Sequence, residues 1–155
     1  VWANRAERAT AGERAVAVDR ARASAGQALQ SGANDSDVLL VTVEALLRLA
    51  RLKPAPAPLP GFSEIEAGLR GCQAILQQAP TWPRALIFCG GLQAMQAQRL
   101  VPPLPADERQ RRLQAAQARL QLGALGNPRL RRAYSTIFAE AGLTDRGADG
   151  KGAGR

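Results

Sequence analysis

Between residues 36 and 52 the apolar positions Leu39, Val43, Leu46, Leu47 and Ala50 recur at steps of three and four. That is the period of one helix face. The rhythm returns at Ile65, Leu69, Cys72, Ile75 and Leu76, and the stretch "ALIFCGGLQAMQAQ" between Arg84 and Arg99 carries no charge at all. Breaks separate these segments: the loop "SGANDSD", the Pro-rich runs "KPAPAPLPGF" and "VPPLPAD", and the stop "GNP". Proline ends a helix because it lacks the N–H and clashes with the preceding turn. Start signals follow the breaks. Ser63 precedes Glu66 and Asp107 precedes Gln110 at the capping-box spacing. Thr81 and Asn127 suit N-caps, and Pro128 suits the first helical position. The pattern predicts helices over 13–31, 36–52, 63–79, 82–100, 107–125 and 128–141, with "VWANRAERA" as part of another.

Composition sharpens this to an all-α class. Of the 155 residues 31 are alanine, the strongest helix former, while the β-branched and aromatic residues that strands favour are scarce. No run of about 18 apolar residues occurs, so no membrane span is predicted. The tail "TDRGADGKGAGR" is Gly-rich and polar, and 142–155 reads as disordered. The chain starts at Val1 without a charged-then-apolar leader, which reads as a fragment of a longer protein or a processed chain.

The helix ends "QSGA", "QQAP" and "LGNP" align, placing Ala33, Pro80 and Pro128 in register at spacings of 47 (80 − 33) and 48 (128 − 80). Each unit reads as helix, Pro-rich connection, helix, stop. This resembles the tetratricopeptide repeat, whose unit of about 34 residues carries W-x-x-L-G-x-x-Y, then small residues, then Pro. Here about 13 further residues would sit between the two helices of each unit. In "RALIFCGGLQ", Leu86, Cys89 and Gly90 take the Trp, Leu and Gly positions, and Gln93 stands where Tyr is usual. In the last unit Tyr134 and Ile137 match and Phe138 replaces Gly; near Ser36, Leu39 matches while Thr42 and Val43 depart. The second helices carry Ala21, Ala25 and Ala28, then Gly68, Cys72 and Ile75, then Ala116, Leu120 and Gly123, where small residues let helices approach. The resemblance implies antiparallel hairpins stacked as a short α-solenoid over 1–141, with units near 1–33, 34–80, 81–128 and 129–141. In texture the chain is also similar to C-terminal repeat regions of some bacterial serine/threonine protein kinases, although it has no "HRD", no "DFG" and no Gly-rich phosphate loop.

Charge and candidate chemistry change this picture little. The chain has no histidine and two cysteines, Cys72 and Cys89, both at packing positions. They read as inert core thiols, because a reactive Cys needs a base or cationic setting and zinc needs more ligands. Two cysteines do not suggest a disulfide framework, so a reducing cytoplasm is the default compartment. "CGG" lacks the strand-before-helix context of a phosphate loop, and Gly90 reads as a site of close helix approach. Glu64 and Glu66 suit a helix start, and no paired carboxylates share a cleft. Trp82 reads either as a partner anchor or as a staple of its loop, and "PAPAPLP" as a stiff spacer rather than a polyproline ligand.

The net charge is +8, with Arg109, Arg111, Arg112, Arg119, Arg129, Arg131 and Arg132 in one stretch free of acids. This leaves a phosphate-binding stripe as the alternative to a solvated face. No recognition motif or stacking platform accompanies it.

No catalytic residue, metal ligand or cofactor site is expected, and this region reads as non-enzymatic, with any catalytic domain upstream. The implied function is protein or peptide binding on the concave side lined by first helices. By repeat position that groove takes Asp37, Leu40, Glu44, Arg48, Arg84, Ile87, Gly91, Met95, Arg132 and Ser135. Its arginines would suit an acidic or carboxylate partner. An exposed apolar repeat end would favour a homodimer, and a basic domain that binds nucleic acid is the alternative function.

Overall fold

The computed structural model describes residues 10–32, 34–52, 63–99 and 103–144. The opening segment, all of "KPAPAPLPGF", the first two residues of "VPPLPAD" and the tail from 145 lie outside the described residues. The described residues are helical with no strand, in the order α1 (Ala11–Ser31), α2 (Ser36–Leu52), α3 (Glu64–Gln78), α4 (Pro83–Arg99), α5 (Ala106–Ala124), α6 (Pro128–Ala133) and α7 (Ser135–Glu140).

Local chemistry sets the helix ends. Thr10 donates from its N–H and its Oγ1 to the Glu13 carboxylate, which extends α1 upstream of the predicted start. Asp35 Oδ1 accepts from the N–H groups of Asp37 and Val38 and caps α2. Ser63 and Asn127 cap α3 and α6 through the N–H groups of Glu66 and Leu130, as their positions predict. Asp107 is not the cap of α5. The helix begins at Ala106 after Pro105, and the Asp107 carboxylate in its first turn pairs with Arg111 one turn along.

The single helix expected over 128–141 breaks at Tyr134, whose ψ of 23° departs from helical geometry. Its second piece ends in a left-handed turn at Gly142 (φ 82°), where Leu143 N–H donates to Phe138 O and Gly142 N–H to Ala139 O. This pairing satisfies the last carbonyls of α7, and glycine adopts the positive φ without Cβ strain. Leu143, assigned by sequence to the tail, packs against the core.

Helix α4 is the centre. Every residue from Ala85 to Leu92 is buried, and a helix apolar on all sides requires neighbours on all sides. Toward α5, Gly90 faces Leu120 and Ala116, while Pro83, Leu86 and Ile87 surround Gly123. Toward α3, Leu92 lies over Gly68 and Cys89 meets Cys72. Toward the third side, Gly91 sits between Leu47 of α2 and Ile137 of α7. Pairing Pro83 with Gly123 and Gly90 with Leu120 makes α4 and α5 antiparallel; Gly68 with Leu92 and Cys72 with Cys89 make α3 and α4 antiparallel.

Alternate helices run parallel. Arg84 bonds Glu44 at a separation of 40 residues and Arg99 bonds the Ala50 carbonyl at 49, so α2 and α4 progress together. Arg84 to Tyr134 (50 residues) and Gln98 to the Glu140 carbonyl (42) relate α4 to the α6–α7 segment in the same sense. Arg22 with Glu64, and Leu29 against Gly71, do so for α1 and α3.

The small-residue positions named from sequence are buried, Ala28 excepted, which is half-buried. Helix α1 packs mainly through small residues: Ala21 touches Leu49 with Val18 beside them, and Ala25 joins Leu46 and Ala67 with Leu29. Gly26 on the same helix is different, since a Cβ there meets nothing within 4 Å. Gly26→Ala is therefore expected to stabilise the protein by about 0.5–1 kcal/mol, the helix-propensity difference, as a rise in the denaturation midpoint.

Candidate functional site

The face shared by α2, α4 and the α6–α7 segment carries the polar cluster. Along α2, Asp37, Val41, Glu44 and Arg48 fall at steps of four, three and four, hence on one helix stripe. Glu44 is the hub. Its carboxylate accepts from Arg48 Nη2 at 2.8 Å, one turn along, and from Arg84 Nη2 at 3.1 Å, on the neighbouring helix.

Arg84 stands in the first turn of α4 and also donates from Nε to the Tyr134 hydroxyl at 3.2 Å. Its Cζ lies 5.7 Å from the Phe88 ring centre, and Phe88 meets Tyr134 edge to face at 5.1 Å. A guanidinium held by a carboxylate, a hydroxyl and a ring face has a fixed orientation. The side chains remain partly open, at 44% of full exposure for Arg84, 35% for Arg48 and 18% for Glu44.

Of the ten residues assigned to a groove, the structure brings Glu44, Arg48 and Arg84 into direct contact and leaves Asp37, Arg132 and Ser135 exposed. Leu40, Ile87, Gly91 and Met95 require correction: they belong to the core and line no open surface. The reason is α7. Ile137 enters the notch at Gly91, and Phe138 is fully buried, so the shortened last helix fills the space beside α4. Of the three arginines expected to make the groove cationic, Arg48 and Arg84 share the Glu44 carboxylate, and Arg132 is exposed.

Tyr134 and Phe88 were not read as site residues. The signal was present: Tyr134 follows Arg84 by 50 residues, close to the unit spacing of 47 and 48.

The cysteine expectation is overturned. Cys72 Sγ and Cys89 Sγ are bonded to each other across α3 and α4, with Cα atoms 5.6 Å apart, and no described cysteine is free. Both were placed correctly at packing positions. Those positions face one another, which the helix period of each segment alone does not reveal. The default of a reducing cytoplasm rested on unpaired cysteines and loses that support.

Among the described residues no group of acidic or sulfur side chains could hold a metal ion, and no helix is long and apolar enough to cross a membrane.

The arginine stretch is divided in the structure. Arg111 pairs with Asp107 and Glu108, Arg112 with Glu108, and Arg131 stacks on Phe138 with Cζ 4.9 Å from the ring centre. The acids lie just upstream of the stretch, one helical turn away, where sequence reading stopped short. Trp82, read as anchor or staple, packs partly buried against the main core.

The chain matches no protein-family model, no curated protein and no solved structure.

Proposed function

We propose that this chain is a non-catalytic protein-interaction module built from tetratricopeptide-like hairpins, and that it binds a partner peptide across the face of α2, α4 and α6–α7. One observation carries the reading: Glu44 of α2, Arg84 of α4 and Tyr134 at the α6–α7 junction meet in an oriented and half-open polar cluster. Structural stability alone does not call for such a cluster, since surface ion pairs contribute little. The parallel course of α2, α4 and the last segment supports the array, because stacked hairpins place equivalent helices side by side.

An acidic residue of the partner would exchange with Glu44 for the N–H groups of Arg48 and Arg84. Val41, 65% exposed on the same stripe, offers apolar contact beside the charges. The basic nucleic-acid reading receives less support, since ion pairs within α5 already engage Arg111 and Arg112.

The test is selection from a displayed peptide library, followed by fluorescence anisotropy on the selected sequences. The expected consensus contains an acidic position, and Arg48→Ala with Arg84→Ala weakens binding at least about tenfold, equivalent to 1.4 kcal/mol. The circular dichroism of the variant should remain helical. A consensus without acids, or affinity indifferent to both arginines, would remove the face from consideration. Salt-labile retention of RNA or DNA in place of peptide would favour the basic alternative.

A further inference from the structure

We propose that the Cys72–Cys89 bond is an assembly latch: it closes while the α3–α4 interface is still open and is sealed from reductants once that interface forms. The argument starts from access. Cys72 is 4% exposed and Cys89 fully buried, Cys89 lies on the central helix, and Cys72 belongs to the same main core. Neither an oxidant nor a reductant can bring a sulfur into line with a bond so enclosed. Exchange therefore requires α3 to part from α4.

In the open chain the thiolate of one cysteine attacks a sulfur of an oxidising disulfide, either a disulfide oxidoreductase or oxidised glutathione. A mixed disulfide forms and the first thiolate of the oxidant leaves. The thiolate of the other cysteine then attacks the mixed disulfide and displaces the second. Two cysteine thiols become one disulfide, and the oxidant gains two electrons and two protons. The bond closes a segment with a sequence separation of 17 residues and ties α3 covalently to α4 across their interface. A latch of this kind belongs to a chain that matures in an oxidising compartment, the setting in which disulfides form and persist. The inference is independent of what the α2–α4 face binds.

The full chain is produced in an oxidising host compartment, and its thiols are counted by maleimide labelling with intact mass. In denaturant without reductant no label is expected, and two labels appear after reduction. Dithiothreitol is then added to native protein and to protein in denaturant. Reduction of the native protein should be slower by at least about a hundredfold, because it waits for an opening of the core. Two labels in denaturant without prior reduction would overturn the proposal, and so would equal reduction rates in the two conditions.

Discussion

Replacing Glu64 by alanine is expected to lower the unfolding free energy by about 3–5 kcal/mol, the cost of leaving one member of a buried ion pair alone. Glu64 opens α3, and its Oε1 accepts from Arg22 Nε of α1; the two side chains are only 10% and 12% exposed. Arg22 also pairs through Nη1 with Asp19 at 3.2 Å, but that carboxylate is 74% exposed and is screened by water. Arg22 Nη2 is buried with no hydrogen-bond partner, so the guanidinium is already incompletely satisfied. Without Glu64 it would keep a desolvated charge and lose its buried counter-ion.

The double variant Arg22→Met with Glu64→Leu is expected to recover most of the loss, because apolar side chains of similar size remove the desolvation cost with the pair. Urea unfolding followed by circular dichroism measures both. A loss below about 1 kcal/mol for Glu64→Ala would mean that the pair behaves as a solvated surface bridge.

Gly123→Leu carries the second large effect, a destabilisation of about 3 kcal/mol. Gly123 lies where α5 crosses the first turn of α4. A Cβ there would sit 2.8 Å from the Pro83 carbonyl oxygen, 2.9 Å from Ile87 Cγ1 and 3.0 Å from Leu86 Cβ. Two of these three atoms, the Pro83 oxygen and Leu86 Cβ, belong to the backbone or sit directly on it and cannot swing away. A larger side chain must push α5 off α4, and α4 is the helix on which the other layers rest. Gly123→Ala should lose less, since alanine gains about 1 kcal/mol of helix propensity against its milder clash.

Displacement at this point would also move Arg84, the next residue after Pro83. Gly123→Leu should therefore disturb the Arg84–Tyr134 contact, read as a change in the near-ultraviolet signal of Tyr134. Unaltered stability would show that the two helices stand further apart than these distances say.

Much of the fold was legible because helices are local objects. Alanine content, the three-and-four rhythm at Leu39, Val43 and Leu46, and the stops near residues 32, 80 and 127 depend on neighbours within a turn or two. The observed helices accordingly begin and end within about two residues of the predicted limits, the last one excepted. The small-residue positions Gly68, Ala116 and Gly123 were legible for a related reason: a missing side chain marks a close approach even before the partner is known. The break at Tyr134 was not legible. Nothing in "LRRAYSTIFAE" forbids a continuous helix, and the break follows from the docking of Ile137 and Phe138 beside α4.

The candidate site divides in the same way. The sequence by itself determined the all-α class, the helix order, the placing of Asp37, Glu44 and Arg48 on one face of their helix, and the choice of Arg84 as a neighbour of that face through the unit spacing. Tertiary structure alone decided that Leu40, Ile87, Gly91 and Met95 are core, that Glu44 holds both arginines, and that Cys72 and Cys89 face one another. Helical periodicity states which residues share a face. Which faces meet, and at what height along the axes, depends on side chains more than 40 residues apart settling into one packing, and no local pattern carries that information.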